Sequence, residues 1–185
     1  MIMIASEYPQ DGAEIDALLD DSFGPRRLMK TAERLREGRR PAEGLALVAF
    51  EGRSLVGTIR LWNIDAGSAP ALLLGPVAVR RERRNLGIGA KLVETALKRA
   101  TAQGHGAVIL VGDAPYYGRF AFSRELTRDL SLPGPVDLDR FLGLELYAGA
   151  LAGAKGMVRA TGALVEQPDT EPFAEMDAPR VAHPY

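Results

Sequence analysis

Hydrophobic and polar residues alternate along parts of this chain with the two-residue period of β-strands. Weak alternation predicts a first strand over residues 2–8, and apolar runs predict strands over 45–50 and 55–62. A short loop containing glycine separates these two runs, so they are predicted to pair as an antiparallel meander. A last strand is expected over residues 140–147.

Helical spacing of apolar residues predicts two early helices and one long one. The first begins at residues 11–14, with Asp11 as its N-cap, and the second is expected over 27–37 with a C-cap at Gly38. The long helix covers about residues 87–103, with apolar side chains on one face and charged ones on the other. This amphipathic pattern predicts a helix that packs on a sheet.

The most apolar strand candidate, residues 71–79, contains a proline. Because proline cannot donate a ladder hydrogen bond, the strand is predicted to be broken or splayed at Gly75-Pro76. The all-apolar run 107–111 is typical of a parallel strand buried on both faces. Residues 71–111 are therefore predicted to form one β-α-β unit, and a short helix capped by its first residue is expected over 113–119.

The composition excludes several kinds of site. None of the 185 residues is cysteine, which excludes disulfides, thiolate nucleophiles and cysteine-ligated metals. The only histidines, His105 and His183, lie in predicted loops and are interpreted as exposed side chains, so no metal is expected. With 46% hydrophobic and 25% charged residues, no signal-peptide core and no membrane-length apolar run, a cytoplasmic protein without membrane partners is expected.

Charge is distributed unevenly along the chain. The formal net charge of -1 argues against sequence-independent nucleic-acid binding. Residues 161–185 carry -4 and several prolines, which predicts a poorly packed acidic tail and leaves +3 on a domain formed by residues 1–160. The densest basic run, 80–84, is compatible with a solvated loop or with a receptor for a phosphorylated small molecule.

A loop with two glycines lies between the strand 71–79 and the long helix, and it reads Arg84-Asn85-Leu86-Gly87-Ile88-Gly89. Glycine allows a ligand to approach the backbone closely, and the free N–H groups at a helix N-terminus bind phosphate oxygens. The spacing matches neither a dinucleotide-binding fingerprint nor a P-loop. By itself the pattern is equally compatible with a plain helix start.

In its context this loop resembles the signature Q/R-x-x-G-x-G/A of the GNAT superfamily of acyl-CoA-dependent N-acyltransferases. A second block, residues 111–122, is similar to the Y-x-x-x-G-F segment of that family, with Tyr117 as the tyrosine and Ala121 in place of the usual glycine. The resemblance covers roughly residues 1–150. It implies an α/β (α+β) fold with a mixed, mostly antiparallel central sheet, splayed between strands 4 and 5, and helices on both faces.

The resemblance also implies roles for individual residues. Acetyl-CoA is the expected acyl donor, with pantetheine adding to the open strand edge and pyrophosphate lying on the loop amides. Tyr117 is the expected proton donor to the leaving thiolate, and the alternative interpretation is a core aromatic residue. The expected cofactor-binding residues are Val77, Ala78, Val79, Arg84, Asn85, Leu86, Gly87, Ile88 and Gly89.

The expected reaction is transfer of an acetyl group from acetyl-CoA to a primary amine of a small molecule or protein, by direct attack in a ternary complex. A chain without cysteine agrees with this, because no covalent enzyme intermediate is needed. The alternative is an acyl-CoA-binding or sensing module of the same fold without turnover.

The sequence does not single out one general base, one acceptor site or one oligomeric state. Asp65, Asp113 and Glu145 lie near predicted strand ends, but surface or capping roles suit each of them better, and some family members use water chains. The acceptor pocket is expected near the first two helices and the last strands, and a monomer or a homodimer is expected. Apolar residues available there are Leu28, Trp62 and Tyr147.

Overall fold

The computed structural model describes residues 1–166, and a mixed β-sheet forms their centre. The strands are β1 (Ile2–Ser6), β2 (Ala46–Glu51), β3 (Ser54–Ala66), β4 (Ala69–Val79), β5 (Ala107–Val111), β6 (Leu130–Ser131), β7 (Phe141–Glu145) and β8 (Gly156–Ala160). Six of them follow the order β1-β2-β3-β4-β5-β7, while β8 pairs with both β3 and β6. All pairs are antiparallel except β4–β5 and β6–β8, which confirms the predicted mixed, mostly antiparallel sheet.

Three α-helices and several short 3-10 helices connect the strands. The α-helices are α1 (Gly12–Phe23), α2 (Ile88–Ala102) and α3 (Ala114–Gly118). The 3-10 helices are Pro9–Asp11, Pro25–Met29, Thr31–Leu35, Arg81–Arg83, Arg124–Thr127 and Leu138–Arg140. Over residues 1–166, no helix is long and apolar enough to cross a lipid bilayer.

The two longer helices cover opposite faces of the sheet. Ile15 on α1 belongs to the apolar cluster that contains Val48 and Leu55, whereas Leu92 on α2 belongs to the cluster that contains Leu47 and Val56. Consecutive strand residues point to opposite faces, so these clusters lie on the two sides of the sheet. Helices on both faces were predicted, and the prediction is confirmed.

The parallel pair β4–β5 is short. It consists of Leu72 opposite Val108 and Leu73 opposite Ile109, and beyond these residues the two strands separate. The predicted splay between the fourth and fifth strands is therefore confirmed. The remainder of β4 stays paired with β3 on its other side, so the strand bends away from β5 without ending.

A β-bulge in β4 lies where the two strands separate. The register with β3 passes from Ile59 opposite Val77 to Leu61 opposite Leu74, so Gly75 and Pro76, joined by a cis peptide bond, together face one residue of β3. Bulges bend a strand and increase its twist. The indole N–H of Trp62 donates to the buried carbonyl oxygen of Gly75 at 2.6 Å and holds the bulge to β3.

The predicted helix over residues 27–37 is wrong. The segment forms two 3-10 helices, separated at Lys30, which has extended backbone angles. Its polar groups bond to a distant loop: the Thr31 hydroxyl donates to the carbonyl of Pro135, and Arg34 donates to that of Pro133. These long-range contacts, which helical spacing does not reveal, explain the difference.

Two further expectations are corrected. Asp11 does not cap α1, because its carboxylate accepts the N–H of Tyr8 at 2.8 Å instead. The strand after residue 140 is also not the last one, since β8 pairs with the far end of β3. Of the five residues of β8 only Val158 is buried, so its sequence has no apolar alternation that would predict a strand.

The chain remains paired beyond the predicted domain end at residue 160. The N–H of Arg40 donates to the carbonyl of Ala163 at 2.7 Å, and the N–H of Val165 donates to that of Gly38 at 2.9 Å. The first residues of the predicted tail therefore pair with the segment before β2. Residues 167–185, which carry most of the predicted acidic tail, lie outside the described residues, and the division into 1–160 and 161–185 stays a prediction.

Trp62→Phe removes the indole N–H and leaves the buried Gly75 oxygen without a donor. We expect the free energy of unfolding to fall by at least about 1 kcal/mol, measured by urea denaturation, because an unpaired buried polar group is costly. Tyr147→Phe, a change on an exposed ring, is the control and should shift this free energy by less than about 0.5 kcal/mol. Equal effects would mean that the Trp62 bond contributes no net stability.

Candidate functional site

The opening between β4 and β5 leads into a cavity of about 550 Å³. Its walls come from residues within 23–36, from the bulge region 74–77, from residues within 111–117 and from residues within 135–140. A second cavity, of about 480 Å³, lies at the N-terminus of α2. We call the first the cleft and the second the anion pocket.

The edge of β4 that faces the opening presents two backbone amides. The N–H of Arg80 donates to Val56 in β3 at 2.9 Å, and N–H directions alternate along a strand, so Ala78 also faces β3. Val77 and Val79 therefore point their N–H and C=O groups away from β3. Of the three strand residues predicted to bind the donor, Ala78 does not direct its amide to the opening, which corrects that part of the prediction.

The stretch of β4 that carries these two amides borders both cavities. Val77 lines the cleft, and Val79 lines the anion pocket. On the opposite side, the consecutive residues Tyr117 and Tyr116 of α3 line the cleft and the anion pocket respectively. The cleft and the anion pocket are thus adjacent, with β4 on one side and α3 on the other.

The loop before α2 forms the anion pocket. Gly87 is the N-cap of α2 in the left-handed conformation, with φ of 76°, and Asn85 also has positive φ, at 65°. Glycine adopts this conformation at little cost. Five of the six predicted loop residues line the pocket, and Leu86, whose side chain is exposed, does not. The lining loop residues are Arg84, Asn85, Gly87, Ile88 and Gly89.

A run of unpaired amides lies at this helix start. Within residues 1–166, none of the N–H groups of residues 85–90 donates to a backbone carbonyl. The first N–H groups of any helix lack a partner within the helix, and the helix dipole adds positive potential there. Six consecutive donors at this position can hold the oxygens of a phosphate or pyrophosphate group.

Only part of the basic run 80–84 contributes charge to the anion pocket. Arg83 and Arg84 line it, although Arg83 also pairs with Glu51 at 2.5 Å. Arg80 donates to the carbonyl of Leu55 and does not line the pocket, and neither does Arg81. Two arginines of the run therefore line the pocket and two do not, and phosphate binding by the run stays a prediction.

Arg119 lines the anion pocket and was missed by the sequence analysis. Its guanidinium lies over the ring of Tyr116, at 4.2 Å from the ring centroid, and its Nε donates to the carbonyl of Tyr116. Tyr116 and Arg119 are three residues apart, a spacing that places two side chains on the same side of a helix. This spacing in the sequence would have indicated Arg119.

Local structure fixes the position of Tyr117. Asp113 caps α3 as predicted, because its carboxylate accepts the N–H of Tyr116 at 2.9 Å. A side chain at Gly112 would place its Cβ 2.4 Å from the Tyr117 ring, so a glycine at that position allows the ring to pack there. The ring also packs edge-on against Tyr116 and Phe122, with centroids 5.0 and 5.8 Å away.

Burial raises the pKa of Tyr117 to about 12. The neighbouring Tyr116 and Asp113 act in the same direction, while Arg140 opposes them. A phenol with this pKa is protonated throughout the physiological range, so the hydroxyl of Tyr117 keeps its hydrogen and can donate a hydrogen bond.

The structure separates the three candidate general bases. Asp113 lines the cleft, although it also caps α3, and neither Asp65 nor Glu145 lines it. The carboxylate of Glu145 accepts the N–H groups of Gly149 and Leu151, at 2.9 and 2.8 Å, and thereby holds a loop. Capping and loop roles therefore account for Asp113 and Glu145.

None of the three apolar residues expected at the acceptor pocket lines the cleft. Trp62 is 7% exposed and belongs to the core, whereas Leu28 and Tyr147 are 59% and 60% exposed. The cleft instead contains charged side chains that sequence analysis missed. Among them, Glu33 and Arg36 form an ion pair at 3.3 Å, and burial lowers the pKa of Arg36 while Glu33 opposes that shift.

Comparison with known proteins identifies close relatives of the chain. The family described as "Acetyltransferase (GNAT) family" matches residues 13–122. The uncharacterised N-acetyltransferase YhbS of Escherichia coli (strain K12) is 31% identical over 159 residues, which make up 85% of this chain and 95% of YhbS.

Solved structures show the same fold. The crystal structure of the GNAT family N-acetyltransferase YhbS from Escherichia coli in complex with CoA has a TM-score of 0.74 and 30% identity, over 86% of this chain and 89% of YhbS. A GNAT family acetyltransferase from Brucella melitensis in complex with acetyl-CoA has a TM-score of 0.56 and 28% identity, over 81% and 97% of the two chains.

The raised pKa of Tyr117 is testable by NMR of protein labelled with 13C at the tyrosine Cζ. The signal that disappears in Tyr117→Phe identifies this residue. Because burial disfavours the phenolate, that signal should remain at the position of the neutral phenol up to about pH 11. A shift to the phenolate position at or below about pH 10 would contradict the burial argument.

Proposed function

The chain belongs to the GNAT acetyltransferase family, and on that premise we propose that it transfers an acetyl group from acetyl-CoA to the primary amine of a small molecule or protein. It is an acyl-CoA-dependent acyltransferase by membership of this family. The observation that supports the finer proposal most is the continuous path from the anion pocket, past Val79 and Val77, to the cleft beside Tyr117.

In the proposed complex the pyrophosphate of acetyl-CoA lies on the amides of residues 85–90, with Arg84 and Arg119 as cations beside it. The pantetheine arm adds to the open edge of β4, where Val77 and Val79 supply N–H and C=O groups. The thioester then enters the cleft. Backbone groups make most of these contacts. The glycines allow the ligand to approach the backbone closely, and the bulge leaves the edge of β4 open.

The reaction needs a neutral amine, a polarised carbonyl and a leaving thiolate. The amine nitrogen forms a bond to the thioester carbon, and the N–H of Val77 donates to the oxygen as negative charge develops on it. The C–S bond then breaks as the carbonyl re-forms. Overall one proton passes from the amine to the sulfur, and the products are an N-acetylated amine and CoA.

Tyr117 donates its O–H hydrogen bond to the sulfur as the C–S bond breaks. A thiol with a pKa of about 8.5, by analogy with cysteine, is a stronger acid than a phenol with a pKa of about 12. Complete transfer from Tyr117 is therefore uphill, and its contribution is greatest as a charge-assisted hydrogen bond to the developing thiolate. The proton that the amine loses is the proton that the departing CoA sulfur gains, so the overall reaction balances.

Tyr117→Phe keeps the ring and removes the donor. We expect kcat to fall about 100-fold, within the usual range for loss of one preorganised donor to a developing charge, because the thiolate loses that donor. The dissociation constant for acetyl-CoA should change by less than about threefold, since the binding contacts are elsewhere. The measurements are steady-state rates of CoA release and calorimetric titration with acetyl-CoA.

The same variant separates the enzyme from the alternative, a module that binds acyl-CoA without turnover. Unchanged transfer rates in Tyr117→Phe would remove the donor role from the proposal. Tight CoA binding by the wild-type protein, with no CoA release across a broad panel of amines, would instead favour the binding module.

Arg119→Gln tests the anion pocket. We expect the dissociation constant for CoA to rise about tenfold or more, because a hydrogen bond from a cation to a phosphate is lost. Arg81→Gln removes the same charge from a side chain that does not line the pocket, and salt screens its effect, so a change of less than about twofold is expected. Calorimetry near 0.15 M salt compares the two. If the two variants lose CoA affinity equally, the loss reflects the total positive charge of the protein and not a contact made by Arg119.

A further inference from the structure

The charged residues that line the cleft do not suit a polycationic ligand. Four cations and three acids line it, so the acids are in the minority. A polyamine or a lysine-rich peptide is recognised by an excess of negative charge, through complementary potential. The charged lining residues are Arg27, Lys30, Glu33, Arg36, Asp113, Asp137 and Arg140.

All three acids already accept hydrogen bonds or pair with a cation. Asp113 accepts the N–H of Tyr116, and Asp137 accepts the N–H of Asp139 at 3.1 Å. Glu33 pairs with Arg36. These donors partly neutralise the three carboxylates, so the carboxylates attract an ammonium group in the cleft less strongly.

Two of the four cations have no carboxylate partner in the part of the chain that the structure describes, although Arg140 donates from Nε to the carbonyl of Gly112 at 3.3 Å and Nζ of Lys30 lies 4.8 Å from the Phe23 ring centroid. Within residues 1–166, neither Lys30 nor Arg140 has a carboxylate within 4 Å, while Arg27 is paired with Asp16 and Asp20 outside the cleft. The Nε of Arg36 is buried and has no hydrogen-bond partner. Because Nη1 pairs with Glu33 and Nε is enclosed by the protein, the guanidinium nitrogen that remains for a ligand is Nη2, beside Gly75.

Arg36 lies beside the bulge in β4, next to the proposed position of the thioester. A Cβ on Gly75 would lie 3.0 Å from Nη2 of Arg36, so the guanidinium contacts the bulge two residues before Val77. The Arg36 side chain is only 13% exposed, which strengthens its interaction with an anion. In an α-amino acid the carboxylate is one carbon away from the amine, so a carboxylate on Arg36 places the amine close to the cleft end of β4.

The other walls of the cleft are largely apolar. Phe23 and Met29 are exposed, whereas Leu74 is buried and Val111 and Val136 are partly buried. These side chains offer a surface to an aliphatic or aromatic group of the acceptor. Its volume of about 550 Å³ suits a small molecule together with the acetyl end of the donor.

From these observations we propose that the acceptor is a small amine that also carries a carboxylate and an apolar side chain, as in an apolar α-amino acid. The proposal rests on the N-acetyltransferase function given above. Arg36 binds the carboxylate, with Lys30 and Arg140 adding positive potential, and the apolar group packs on Phe23 and Met29. Recognition of the carboxylate orients the amine toward the thioester carbon, which is a positioning role for Arg36.

Matched substrates test the proposal with the unmodified protein. L-phenylalanine, L-phenylalaninamide and phenethylamine share one aromatic group and one amine, but only the first has a carboxylate. We expect kcat/KM for L-phenylalanine to exceed both others by about 10- to 100-fold, the range for a hydrogen bond to a charged group. Spermidine, which carries no carboxylate, should be a poorer acceptor than L-phenylalanine.

Arg36→Met tests the assigned receptor. The preference for L-phenylalanine over phenethylamine should fall to about threefold or less, because the carboxylate loses its partner. Arg36→Lys should restore part of it, since a single ammonium replaces the guanidinium fork. Arg26→Met, a change at an exposed arginine that does not line the cleft, should leave the preference unchanged. Circular dichroism and CoA affinity establish that each variant is folded.

The possible failures are distinguishable. If the amines without a carboxylate are acetylated as well as L-phenylalanine, or better, the acceptor proposal is overturned while the N-acetyltransferase function stands. If none of the four compounds nor a broader amine panel releases CoA, the proposed function itself fails. A preference for L-phenylalanine that persists in folded Arg36→Met would overturn the role of Arg36, and should Arg36→Met not fold, the wild-type substrate ratio still decides the acceptor class.

Discussion

The bulge in β4 is the constraint on which the site depends. Gly75 and Pro76 together face one residue of β3, and the pairing of β4 with β5 ends at Leu73, just before them. A strand inside a sheet normally pairs on both sides and leaves no amide for a ligand. Val77 and Val79 have free edges because β4 bends away from β5 while the Trp62 hydrogen bond keeps it attached to β3. The binding edge is thus built into the sheet, without a mobile loop.

The same separation places the proposed donor opposite that edge. β5 ends at Val111, and α3 follows after Gly112 and Asp113, so Tyr117 faces the opening from the β5 side. Its ring is held by aromatic neighbours that also remove it from water. This packing raises the pKa of the phenol and keeps it protonated. Low local polarity also strengthens the hydrogen bond to a developing charge that we propose for this phenol.

Features with a local cause were predictable from the sequence, and features set by distant contacts were not. The proline in β4, the amphipathic α2 and the two glycines before it each produce their structure within a few residues. The 3-10 helix Thr31–Leu35 makes hydrogen bonds to Pro133 and Pro135, about a hundred residues away, which local spacing does not reveal. The strand β8 has one buried residue and forms because β3 extends far enough to pair with it. The orientation of Ala78 follows from register, which composition does not reveal.

The groups proposed to recognise the donor differ in kind from those proposed to recognise the acceptor. The donor side consists mainly of backbone amides on β4 and before α2, which change little when side chains change. The proposed acceptor wall consists largely of side chains on residues 23–36, a segment outside the sheet that contains two short 3-10 helices. Substitutions there can alter the acceptor without disturbing the splay. Gly75 is the exception, because it forms the bulge and also leaves room for Arg36, so the donor edge and the acceptor wall meet at this one residue.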